Sequence, residues 1–132
     1  MKAIDTNILI RFITKDDEKQ ANRIYQLFKQ AEETQEKLFV PLLVVLELIW
    51  VLESIYEIPN EEILDSLADL LLMPILQFES EAVMQSFINS AQNTKFDLSD
   101  ILIAHTAHSF DCESTLTFDK KASKFKYFEL LK

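Results

Sequence analysis

Four carboxylates stand at positions where an acid needs a reason. Asp5 closes a short strand signal at residues 2–4, and Asp119 closes another at 114–118. Asp100 falls in the first turn of a helical stretch that begins near Leu98, and Glu47 is the one acid inside the apolar run VPLLVVLELIWVL at residues 40–52. In an open parallel sheet, ligands bind beyond the carboxyl ends of the strands, so Asp5 and Asp119 are at the edge where a site would form. Together with Asp100 and Glu47 they could meet in one cavity. Carboxylates gathered in this way bind divalent cations.

Glu47 is the most demanding of the four. At helical spacing its neighbours are Leu43, Val44, Trp50 and Val51, so its own helix offers no partner. The apolar run predicts a helix over 42–55 packed on most of its sides, with Glu47 buried. A buried carboxylate has to be paired, protonated or given a metal. Each acid also has a plainer explanation. Glu47 could lie at a helix margin, Asp5 or Asp119 could close a strand or cap a helix, and Asp100 could be the third residue of a capping box begun by Asp97.

The elements that would position these groups follow from the periodicity. Thr6 has the character of an N-cap for a short helix through ILIRFI, and residues 16–33 carry a second, amphipathic helix. A buried strand at 38–40 leads into the Glu47 helix. Pro59 and Asn60 form a turn, with Asn60 able to cap a helix over 61–72. Further strands are predicted at 74–78, 114–118 and 127–130, and further helices from Ser80 to about residue 92 and over 98–110. Short apolar strands alternating with helices, without hairpin signals, indicate an α/β fold with a mostly parallel central sheet covered on both faces.

The 132 residues suit a single domain, 1–132. A net charge of −9 argues against binding nucleic acid chiefly by phosphate neutralisation, although a carboxylate cluster that holds cations would account for part of it. The sole basic cluster is Lys120, Lys121, Lys124 and Lys126. It is either a solvated run or a contact for phosphate groups. The chain has no glycine, which excludes a P-loop, a dinucleotide-binding turn and a nucleophile elbow. His105, His108 and Cys112 make a weak zinc pattern lacking a fourth ligand, so solvated or capping roles are expected for the histidines. One cysteine, no apolar leader and no apolar run long enough for a bilayer predict a cytoplasmic protein without a membrane role.

Taken in order, I-D-T-N at the N-terminus, the Glu of V-L-E-L, D-I-L-I-A-H-T-A, and T-F-D followed by Lys resemble the PIN domain family, and within it the VapC-like toxins. The resemblance spans essentially the whole chain. It implies a three-layer α/β/α fold with a mostly parallel central sheet. It carries the metal-ligating and catalytic roles onto Asp5, Glu47, Asp100 and Asp119. Thr6 and Thr117 match supporting positions, and Asp97 matches an acid expected to cap the helix or sit behind the ligands. It further implies Mg2+ or Mn2+, endonucleolytic RNA cleavage, a cognate antitoxin and a homodimer. Cys112 and Glu113 stand where a glycine often precedes the last long strand, which questions the turn there. Rival readings are a PIN nuclease of RNA maturation or decay without an antitoxin, and a non-catalytic PIN-like binding domain. A phospho-accepting receiver domain would want an acidic pair just after the first strand, whereas Asp16 and Asp17 precede a helix.

Overall fold

The computed structural model describes all 132 residues. They divide into two compact units, Met1–Glu79 and Ser80–Lys132. The chain is mixed α/β, and every strand pairing in it is parallel, in agreement with the predicted class.

The first unit holds strands β1 (Lys2–Ala3), β2 (Leu38–Val40) and β3 (Leu76–Phe78), in the order β1-β2-β3. Lys2 is in register with Leu38, and Leu38 with Leu76. The ladder extends one residue past β1 through the N–H of Ile4, which donates to the carbonyl of Phe39 at 3.0 Å. Parallel neighbours need crossovers, and here each crossover is a pair of helices. Helices α1 (Thr6–Thr14) and α2 (Glu18–Thr34) join β1 to β2, and α3 (Leu42–Ser54) and α4 (Asn60–Leu71) join β2 to β3. Ile24, Phe28, Val40, Leu48, Ile49, Leu52, Leu67 and Phe78 are among the buried apolar residues of this unit. Polar groups tie α1 to the chain after α3. Arg11 pairs with Asp16 at 3.1 Å, and the Tyr56 hydroxyl donates to Asp16 Oδ2 at 2.7 Å.

The second unit holds helices α5 (Glu81–Ala91) and α6 (Leu98–Ser109), then β4 (Thr115–Thr117), a 3-10 turn (Ala122–Lys124) and β5 (Phe128–Leu130). Strands β4 and β5 pair with Leu116 opposite Glu129. Met84, Phe87, Leu98, Ile101 and Ala104 are fully buried between or beneath the two helices, which pack on each other.

The absence of glycine does not prevent tight helix ends. Lys15, Gln35, Glu57, Asn93 and Asp111 take the left-handed conformation instead, with φ between 54° and 65°. Asp111 (φ 65°) makes the turn after α6, so the turn questioned at Cys112 and Glu113 is built one residue earlier by an aspartate, a residue type that tolerates this region.

Candidate metal centre

Asp5 follows β1 and caps α1, its Oδ1 accepting the N–H of Ile8 at 3.3 Å. The cap is therefore Asp5 and not Thr6, which is the first helical residue and is buried at 6% exposure. A carboxylate accepts more strongly than a hydroxyl at this position, and capping occupies only one of its oxygens.

Glu47 lies in the second turn of α3 and is exposed, contrary to the expected burial. The run around it is apolar on all sides, but the helix buries a single stripe of Val45, Leu48, Ile49 and Leu52. Leu43 and Trp50, four before and three after Glu47, share its outward face at 79% and 56% exposure. Hydrophobicity of the run reported a helix in contact with a core, not the side to which each residue points. Helix α3 packs on α1, so the elements that carry Glu47 and Asp5 are neighbours in the first unit.

The N-terminus of α3 reveals a role for Glu79 that the sequence did not suggest. Pro41 has no side chain with which to cap the helix. Glu79, just beyond β3, supplies the acceptor: its Oε1 takes the N–H of Leu42 at 3.0 Å, and its own N–H donates to the Val40 carbonyl at 3.0 Å. The sequence signal, an acid at a strand's carboxyl end, was the one that singled out Asp5 and Asp119.

In the second unit Asp97 caps α6, with Oδ1 accepting the N–H groups of Ser99 at 2.9 Å and Asp100 at 3.2 Å. This is the capping role expected for Asp97. Asp100 is partly buried, and its carboxyl is pushed above the ordinary aspartate range by burial first, then by the negative charges of Asp97 and Asp119. Asp119 follows β4, and both its backbone N–H and its carboxylate are held. The Thr117 hydroxyl accepts the N–H of Asp119 at 3.0 Å, while Asp119 Oδ1 accepts from Lys121 at 2.8 Å and Ala122 at 3.1 Å. Thr117 thus orients the residue that carries the acid.

Asp5 and Glu47 lie in the first unit, and Asp100 and Asp119 lie in the second. No group of three carboxylate, imidazole or thiol side chains is assembled at metal-binding distance. The zinc pattern fares no better. His105 is buried at 5% exposure, edge-on to Tyr127 at 5.0 Å and near Phe125, and burial holds its pKa below the ordinary imidazole value, with Lys126 and His108 acting in the same direction. His108 stacks on Tyr127 at 4.0 Å, and Cys112 is exposed. His105 therefore has a packing role in place of the solvated or capping one expected, whereas His108 is exposed to solvent, as expected, while stacked on Tyr127.

Carboxylate oxygens, which are what Asp5, Glu47, Asp100 and Asp119 each offer, are donors that suit a hard divalent cation. The like-charge pressure on Asp100 is of the kind that a bound cation relieves. No helix is long and apolar enough to cross a membrane. The PIN domain family model matches residues 2–126. A VapC ribonuclease of Aquifex aeolicus (strain VF5) is 26% identical over 127 residues, a span of 96% of this chain and 93% of that protein. The chain belongs to the PIN domain family.

Proposed function

We propose that the protein is a metal-dependent endoribonuclease that hydrolyses RNA phosphodiesters and acts as the toxin of a toxin–antitoxin pair. The observation that carries this reading is the likeness to a VapC ribonuclease over nearly the full length of both chains, and the presence of Asp5, Glu47, Asp100 and Asp119 in the sequence supports it. The family match runs across both compact units, which supports treating residues 1–132 as one PIN domain.

In this reading the four acids hold Mg2+ or Mn2+. A divalent ion held by carboxylates supplies charge neutralisation at the phosphodiester and lowers the pKa of a water. The residues supply the rest. Asp100, whose proton is held more tightly than an ordinary aspartate's, must ionise to serve as a ligand. Asp97 fixes the first turn of α6 beneath it, and Thr117 fixes the backbone of Asp119. Asp5 and Asp119 each commit one oxygen to backbone N–H groups, which orients the carboxylate toward any ion bound by the second. No side-chain nucleophile is required.

The partners proposed with this function are an RNA substrate, a cognate antitoxin and a second copy of the chain in a homodimer, in the cytoplasm. An acidic toxin suits a basic antitoxin segment, since opposite charge steers encounter and disfavours wrong partners. Expression of the chain alone and together with its genomic neighbour tests the pairing. Growth arrest relieved by the neighbour is the expected result, and growth unaffected by the chain alone would remove the toxin reading.

A further inference from the structure

The β4–β5 ribbon of the second unit presents an apolar face to solvent. Leu116, in β4, is 59% exposed, and Phe118, in the bend just past the strand, is 79% exposed. Leu131, tied to β4 by its N–H to the Thr117 carbonyl at 2.8 Å, is 46% exposed. Single exposed apolar residues need no explanation, but Phe118 has particular neighbours. It immediately precedes Asp119, and Lys120 and Lys121 follow, all exposed.

Those lysines are unpaired. Arg11 pairs with Asp16 at the other end of the chain, and neither lysine meets an acid although acids outnumber Lys and Arg by 22 to 13. Chain order therefore places a solvent-facing aromatic ring beside free cations and one of the proposed ligand carboxylates. The segment is also held firmly. Thr117, Lys121 and Ala122 fix Asp119 through three hydrogen bonds, which keeps the Phe118 backbone at a constant distance from that acid. Aromatic rings flanked by cations are how proteins hold unpaired nucleotides, with the ring stacking on a base and the cations meeting its phosphates.

We propose that the Phe118 ring is a stacking platform for an unpaired base of the RNA substrate, with Lys120 and Lys121 meeting the flanking phosphates. This rests on the ribonuclease reading and deepens it, because a base held at Phe118 fixes which phosphodiester lies near Asp119. The free cations favour RNA over a basic peptide, which they would repel. Substrate choice then includes a demand for a stackable base in a single-stranded segment at one fixed position from the cut.

The test uses the full chain, Mg2+ or Mn2+, and an unstructured oligoribonucleotide in which each base in turn is replaced by an abasic site. Phe118→Leu keeps an apolar side chain at an exposed position and removes the π face, while Phe118→Tyr keeps it. Stacking predicts that one abasic position raises the KM of the parent about tenfold, that Phe118→Leu has this higher KM already and is insensitive to that position, and that Phe118→Tyr behaves as the parent. Identical KM values and abasic profiles for the parent and Phe118→Leu would overturn the proposal and leave the nuclease reading intact. Unchanged KM with altered sedimentation of Phe118→Leu would assign the face to a second copy and equally overturn it. A parent that cleaves no RNA with either metal would overturn the nuclease reading itself.

Discussion

The carboxylate of Asp97 accepts the backbone N–H of Asp100 at 3.2 Å, so the acid that caps α6 is held beside the acid whose proton is most tightly bound. One residue fixes the helix start, and the same residue's charge disfavours ionisation of its neighbour. The two roles separate by substitution. Asp97→Asn retains a capping oxygen and removes the charge, so its stability should stay near that of the parent. Asp97→Ala should cost about 1 kcal/mol in denaturant unfolding.

Asp100→Asn should stabilise the metal-free protein at neutral pH. The folded-state pKa of Asp100 lies above its ordinary 3.8, so the folded protein binds this proton more tightly than the unfolded chain does. Stability linked to that proton is complete below the ordinary value and is lost as pH rises through the folded one. The amide has no such loss. Its melting temperature should exceed the parent's by about 1–3 °C at neutral pH, with the gap closing as pH falls through the carboxylate range. A gap that widens toward low pH would contradict the crowding of Asp97, Asp100 and Asp119.

The opposite sign applies to Asp16. Its pKa is lowered by hydrogen bonds from Tyr56 and Thr14 and by the charge of Arg11. It thus contributes stability that is present above the ordinary carboxylate value and lost as pH falls through the lowered one. Tyr56→Phe removes its first cause. That variant should melt a few degrees lower at neutral pH and show a smaller loss on acidification than the parent. Equal acid sensitivity would show that the hydroxyl does not hold Asp16.

Gln35 ends α2 in the left-handed conformation at φ 58°. Glycine adopts that region without a Cβ penalty, so Gln35→Gly should stabilise by about 0.5–1 kcal/mol, measured by chemical unfolding. Destabilisation would mean that the side chain makes a contribution beyond its backbone angle.

Glu47 faces solvent, so its substitution should separate function from fold. Glu47→Gln and Glu47→Leu should both unfold within about 0.5 kcal/mol of the parent, as exposed positions do. If the proposed ligand role is correct, calorimetry should nevertheless show weaker Mg2+ or Mn2+ binding by both. A large stability gain in Glu47→Leu would restore the buried reading.

The sequence indicated most of the elements because their signals are local. Ser80 and Asp97 announced helix starts, and short β-branched or aromatic runs announced strands. Misplacements occurred where two groups competed or where orientation mattered. Asp5 and Thr6 are both good caps, and only the backbone decides between them. Glu47 sits in a run too uniformly apolar to show which stripe is inside. The Glu79 cap on Leu42 joins residues 37 apart in sequence, and no local pattern reports such a contact. The four acids proposed as ligands stand out in the sequence because each lies at a strand end, a helix start or in an apolar run where an acid needs a reason.

The most direct test of the account is metal-dependent cleavage of an unstructured RNA by the purified chain, with Asp5→Asn and Asp100→Asn beside it and Asp97→Asn as the charge-removing control outside the ligand set. The account predicts cleavage by the parent with Mg2+ or Mn2+, its loss on chelation, no metal-dependent cleavage by Asp5→Asn or Asp100→Asn despite folded melting curves, and retained cleavage by Asp97→Asn. Cleavage by folded Asp5→Asn or Asp100→Asn at the parent's rate would contradict it.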